Sequence, residues 1–301
     1  MNHISSQMPP DNRSNKCGIP ACQKSVAKPG GPLDVYETYL CAEHVEKQKA
    51  YDAKKREEDH RVACNKVYSE TLLRVDLAIP ALFSDVPDPT VGTNEERDAA
   101  YALLASRVEC ADLGSVIRAT SEAADALIAK RGTVVLFAGV TGTGKSTLAA
   151  CLLRMMLNRI PRIPLAQNPL VKKGGLFGAP WDHDGCDPFV LWKSAESLFA
   201  AEAKRDEETV RDAMFSSLAV LDDIGNEPTQ ANIKTVHSVI WQRREDMKAT
   251  VLTSGWVDPN ASPADLTAFL APLARRYDDA FLRRVALDEK FCRVITLTPV
   301  P

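Results

Sequence analysis

The stretch Gly139-Val-Thr-Gly-Thr-Gly-Lys-Ser146 stands between the apolar run Thr133–Ala138 and a helix-forming run Thr147–Ile160. Its pattern, G-x-x-x-x-G-K-S after a β-branched strand and before an amphipathic helix, is that of a phosphate-binding loop. The residue types follow from the task. Gly139, Gly142 and Gly144 reach backbone conformations closed to other residues, so that the N–H groups of Gly139, Val140, Thr141, Gly142, Thr143 and Gly144 close around phosphate oxygens. Lys145 then reaches the β- and γ-phosphates, the Ser146 hydroxyl ligates magnesium, and the helix N-terminus through Thr147 adds partial positive charge.

A loop of this kind works with an acid at the end of a neighbouring strand, and Leu218-Ala-Val-Leu-Asp-Asp-Ile-Gly225 supplies one. Asp222 is placed to hold the magnesium through water, and Asp223 to polarise an attacking water where many such ATPases use the longer Glu. Further runs read as strands at Phe189–Lys193, Thr250–Trp256 and Phe291–Leu297. Helices are expected at Asn94–Arg107, Ser121–Lys130, Ser194–Ser217 with a charged interruption, Ala231–Arg244 and Leu266–Leu287. This alternation predicts an α/β doubly wound parallel sheet with ligands at the carboxyl ends of its strands.

Composition bounds the rest. The 301 residues are 45% apolar and 26% charged, as in ordinary globular chains, and suit one domain plus a smaller one. The 37 basic against 40 acidic residues leave a net charge of −3, so any nucleic-acid contact is regional. Arg154, Arg159, Arg162, Lys172 and Lys173 form the strongest local basic concentration. Neither a signal peptide nor a membrane-spanning run is expected, which predicts a cytoplasmic protein without membrane contact.

The eight cysteines are therefore read for metal before disulfides. Cys17-x4-Cys22 and Cys41-x2-His44 make a tetrahedral zinc set, and the Pro- and Gly-rich segment between them has little apolar mass of its own. Cys64 is a rival ligand, and plain thiols are the alternative. Asp182-His183-Asp184-x-Cys186, inside the Pro- and Gly-rich loop Pro161–Pro188, matches no known ligand spacing. Residues 1–76 are thus expected to form a zinc-like and helical partner-binding module, 77–94 a linker broken by Pro80, Pro87, Pro89 and Gly92, and 95–301 the nucleotide-binding core.

From Ile79 to Thr298 the chain resembles the AAA+ ATPases of the helicase-loader type, the DnaC and IstB-like group. The resemblance rests on the P-loop, Leu221-Asp-Asp-Ile-Gly225, Ile240-x-x-Arg-Arg244, Val251-Leu-Thr-Ser254, and a helix ending in Arg284 before a short last strand. It implies an AAA+ core without a helical lid domain, ATP hydrolysis, and an open or spiral homo-oligomer. Single-stranded DNA and a replicative helicase, or else a transposase, are the implied partners. Ile79 and Pro80 correspond to a segment near the adenine, and the polar residue that senses the γ-phosphate in relatives falls at Ser254 or Gly255. Ala280 stands where some relatives carry the arginine that enters a neighbour's site, so either Arg276 or Arg283 takes that role or the site works without it, and Arg284 acts on its own subunit's nucleotide. A zinc-like module joined to such a core is similar to phage-type or mobile-element replication proteins. A nucleotide-binding adaptor that does not hydrolyse ATP is the third reading.

Overall fold

Val134–Gly139 (β1) is buried along its whole length, because a parallel strand flanked on both sides has no solvent face. In the computed structural model, which describes residues 40, 42–55, 58, 59, 62, 79–129, 132–159 and 190–299, four more strands join it: Val190–Ser194 (β2), Leu218–Asp222 (β3), Ala249–Ser254 (β4) and Cys292–Leu297 (β5). All pairings are parallel and the order is β2-β3-β4-β1-β5. The phosphate-loop strand and the acid strand are therefore separated by β4.

Side chains alternate between two cores. Val135 and Phe137 of β1, Val220 of β3 and Val251 of β4 share one cluster with Leu148, Leu152 and Met155, whereas Leu136, Leu221 and Leu252 share the other with Val236, Val239 and Ile240. Helices cover both faces. Numbering them from residues 42–55 (α1), they are Asn94–Ala105 (α2), Leu113–Ala129 (α3), Lys145–Arg159 (α4), Ala195–Ala203 (α5), Glu207–Phe215 (α6) and Gln230–Glu245 (α7). Polar residues set their starts. The Thr93 hydroxyl accepts the Glu96 N–H while Glu96 accepts the Thr93 N–H, and Ser194 caps α5 as its position in the sequence predicts.

Two sequence expectations change. The short helix expected at Ser121–Lys130 begins eight residues earlier, at Leu113, because Val116 and Ile117 extend its buried face. Leu266–Leu287 is not one helix but Leu266–Phe269 (α8), Ala271–Arg276 (α9), Asp279–Leu282 (α10) and a π-turn at Arg283–Leu287. Asp265 and Asp278 start new elements by accepting the N–H groups of Ala268 and Phe281.

The chain divides into two compact units, Met1–Val62 and Ala63–Pro301. In the first, α1 carries Lys47–Glu43 and Gln48–Asp52 pairs, each at 2.8 Å and one turn apart. Cys17, Cys22 and Cys41 lie outside the described residues, as do Cys64 and residues 160–189; His44 is on α1. In the second unit, residues 79–93, expected as linker, pack on the α/β core. Ile79 and Val86 are buried in its first cluster, and buried Asp88 accepts Asn158 Nδ2 at 3.0 Å. None of the described helices is long and apolar enough to cross a membrane.

Candidate nucleotide site

The loop after β1 has the backbone its glycines permit. Gly142 and Gly144 lie at φ +90° and +84°. Gly144 passes so near the 107–108 backbone that a Cβ would fall 2.7 Å from the Arg107 carbonyl oxygen, and a Cβ at Gly139 would fall 2.6 Å from that of Leu297. The Val140 carbonyl accepts both the Thr143 hydroxyl and the Lys145 ammonium at 2.9 Å. Lys145 opens α4 and is buried. Burial pulls its pKa below the ordinary lysine range, opposed by the nearby charges of Asp223 and Asp222.

Across β4, the acids meet the loop. Ser146 Oγ donates to Asp222 Oδ1 at 2.7 Å, and Thr253 Oγ1 donates to the same oxygen at 2.5 Å. Thr253 Oγ1 also accepts the Asp223 N–H at 2.8 Å. Asp223 is exposed and left-handed at φ +62°, a conformation that costs about 1–3 kcal/mol and persists only where its surroundings fix it.

The donor set fits magnesium. Ser146 Oγ and Asp222 Oδ1, both hard oxygen donors, meet at 2.7 Å, so Ser146 would ligate the ion and Asp222 would hold it through water. Among the described residues no cluster of three or more His, Cys, Asp or Glu offers a metal cage.

The expected nucleotide-site residues all lie among the described residues. Gly139 to Thr147 form the loop and first helical turn, facing Asp222 and Asp223. Ser254 does not face the site: it is buried and its hydroxyl donates to the Ile224 carbonyl at 2.9 Å. Thr253, which the sequence reading passed over, makes the polar contacts at the β4 tip. Ile79 is buried in the apolar core and Pro80 leads into a 3-10 turn at Ala81–Phe83. The open cavity beside Gly142 is lined instead by Tyr101, Arg107, Val108, Cys110, Ala111 and Leu113, with a volume of 560 Å³.

The arginines separate. Arg276 lies beside the acidic turn, with Nη2 on the Glu227 carbonyl. Arg284 lies over the Trp241 ring at 3.3 Å and donates to Ala280 O. Arg283 and Arg284 share a 480 Å³ cavity with Arg244, whose guanidinium reaches Gly132 O just before β1 begins. They are therefore at the amino end of the sheet, a strand length of about 3.3 Å per residue away from the loop, and Arg284 does not reach its own nucleotide site. The chain is not helical through Tyr277–Asp278, so Arg276 and Arg283 lie on separate elements rather than on one helix. Of the basic residues proposed for DNA, Arg159 pairs with Asp125 at 2.7 Å and Arg154 donates to Ser84 O at 2.7 Å; Arg162, Lys172 and Lys173 lie outside the described residues.

A scan against protein-family models and a comparison with curated proteins give no match. Among solved structures, the DnaC helicase loader is similar at 14% identity and a TM-score of 0.46, over 64% of this chain and 93% of that one. DnaI follows at 16% identity and a TM-score of 0.39, over 64% and 92%. The replication initiator DnaA bound to AMPPCP and single-stranded DNA is similar at 14% identity and a TM-score of 0.36, over 61% of this chain and 46% of that one.

Proposed function

We propose that this protein is a magnesium-dependent ATPase of the AAA+ helicase-loader type. The observation that carries the ATPase part is the Ser146–Asp222–Thr253 constellation below the phosphate loop, since it joins a magnesium-ligating hydroxyl, a carboxylate and a polar strand tip within hydrogen-bond reach. In this reading the loop N–H groups and Lys145 bind the triphosphate, and the cavity beside Gly142 takes the base. Ser146 and Asp222 hold magnesium, which when bound neutralises phosphate charge. Asp223 orients the attacking water. The test is phosphate release from ATP: Asp223→Asn lowers turnover while ATP still binds, and parental turnover in that variant removes Asp223 from the chemistry.

The exposed, left-handed Asp223 supports a second reading, slow or absent hydrolysis with ATP as a conformational ligand, because its side chain is one methylene shorter than Glu. Delivery of a replicative helicase to single-stranded DNA is the biological role we favour; regulation of a transposase is the alternative. Both rest on the sequence resemblance, as do an open or spiral homo-oligomer and residues 1–76 as the partner-binding module; a cytoplasmic location goes with that role. A zinc ion on Cys17, Cys22, Cys41 and His44 belongs to the same proposal. Metal analysis of purified full-length protein decides it, one zinc per chain supporting it and none opposing it.

A further inference from the structure

The turn that follows the two acids is clamped from within by a carboxylate that no step above uses. Glu227 is fully buried, and its two oxygens accept the Gly225 N–H at 3.0 and 3.1 Å. The same carboxylate accepts the Tyr277 hydroxyl and lies 3.9 Å from Arg276 Nε, while its backbone carbonyl accepts Arg276 Nη2. Trp256 closes the other side. Its indole N–H donates to Asn226 Oδ1 at 2.8 Å, and the Arg276 guanidinium lies 4.9 Å from its ring centroid. The ring so fills the space at Gly225, where φ is +102°, that a Cβ would fall 2.4 Å from Cδ1.

A carboxylate this deep is tolerated only where partners replace its water, and here every partner belongs either to the acidic turn or to α9 and its end. Burial and then the Glu227 charge push the Tyr277 hydroxyl far above its ordinary range, so it remains a proton donor to the carboxylate. Asp223 and Gly225 both have positive φ, and their N–H groups are held by Thr253 and Glu227 respectively. Loss of either hold frees a turn that keeps a non-glycine residue, Asp223, in the sparsely populated left-handed region.

We infer that Glu227 is a positioning residue, which fixes the 223–225 turn and thereby the aim of Asp223 at the γ-phosphate, and which ties that turn through Tyr277 and Arg276 to α9. The inference rests on the ATPase reading above. It also gives Arg276 a role within its own chain: a rearrangement of the turn on binding or losing ATP is felt by α9, because the same carboxylate and the same indole touch both.

The experiment uses full-length Glu227→Gln and Tyr277→Phe. An amide keeps the size of the carboxylate but loses its charge and one of the two acceptors. Misplacing a catalytic group by about an ångström costs on the order of a hundredfold in rate, so kcat falls by that order in Glu227→Gln while KM and the calorimetric affinity for magnesium–ATP stay parental. Tyr277→Phe lowers kcat less, again without moving affinity. With Trp181, Trp192 and Trp241 replaced by Phe, Trp256 emission changes when magnesium–ATP is added, and this response is lost when Glu227→Gln is introduced. Parental kcat with an intact Trp256 response overturns the inference. So does a parallel loss of affinity and rate with reduced melting temperature, which makes Glu227 a stability residue only. If Glu227→Gln does not fold, Tyr277→Phe and its Trp256 response carry the test alone. If the parent binds ATP without turnover, the Trp256 response decides. A parent that does not bind ATP refutes the ATPase reading instead, whereas a parent that turns over alongside an unaffected Glu227→Gln refutes only this inference.

Discussion

Thr253 and Asp222 share a 2.5 Å hydrogen bond, and the same Thr253 oxygen accepts the N–H of the next residue, Asp223. One hydroxyl on β4 thus aligns Asp222, at the end of β3, with Asp223, which follows it. Hydrogen bonds to charged groups are worth about 1.5–3 kcal/mol, so Thr253→Ala is expected to lower ATP turnover by roughly ten- to a hundredfold. Thr253→Ser keeps the oxygen and stays near parental. Ser254→Ala loses its bond to Ile224 O and costs about 1 kcal/mol of stability, with turnover near parental. Steady-state kinetics and denaturant melts of the three variants check the contrast.

Lys145 gives a pH dependence. Burial depresses its pKa in the free protein below the ordinary 10.5. The negative charge of bound triphosphate raises it again, so the complex holds the proton more tightly than the free protein does. Binding is then coupled to proton uptake in the alkaline range, and ATP affinity falls as pH rises through the depressed free-state value. Calorimetry in buffers of different ionisation enthalpy reads the proton uptake directly.

Arg243 is expected to matter for stability. It is fully buried with no carboxylate among the described residues on its guanidinium, which instead donates to Ala213 O, Ser216 O, Ser216 Oγ, Ala249 O and Thr250 Oγ1. Burial pushes its pKa down to about 9, which still leaves it charged at neutral pH. Arg243→Met strands several buried carbonyls at about 1–3 kcal/mol each, so a loss of at least about 3 kcal/mol is expected in urea unfolding.

The arginines at the far end of the sheet serve as a control. Arg284→Ala removes a guanidinium stacked on Trp241, and ATP affinity is expected to stay parental. Reduced affinity in calorimetry contradicts the placement. Mixing a Lys145→Ala subunit with an Arg283→Ala subunit, Arg276 being kept because it holds the Glu227 carbonyl of its own chain, tests donation between chains: restored turnover assigns Arg283 in trans, and persistent inactivity in a demonstrated co-assembly excludes it.

The loop, both acids and the parallel sheet were legible because strands buried on two faces read as apolar runs, and because the loop and the acid strand each require specific residue types. The choice between Thr253 and Ser254 was not legible. Adjacent strand residues face opposite ways, and which one faces the loop depends on the register that pairs Thr253 with Phe137. The broken C-terminal helix left a faint signal in Asp265 and Asp278, whose capping role competes with the helical pattern of their neighbours. Glu227 carried no signal at all, since its partners Tyr277 and Arg276 are some fifty residues away and meet it only through packing.

The most direct test of the account is calorimetric titration of ATP, with and without magnesium, into the parent, Lys145→Ala and Ser146→Ala. The account predicts magnesium-enhanced binding to the parent, loss of tight binding in Lys145→Ala, and binding to Ser146→Ala that magnesium no longer strengthens. Undiminished affinity in Lys145→Ala contradicts it.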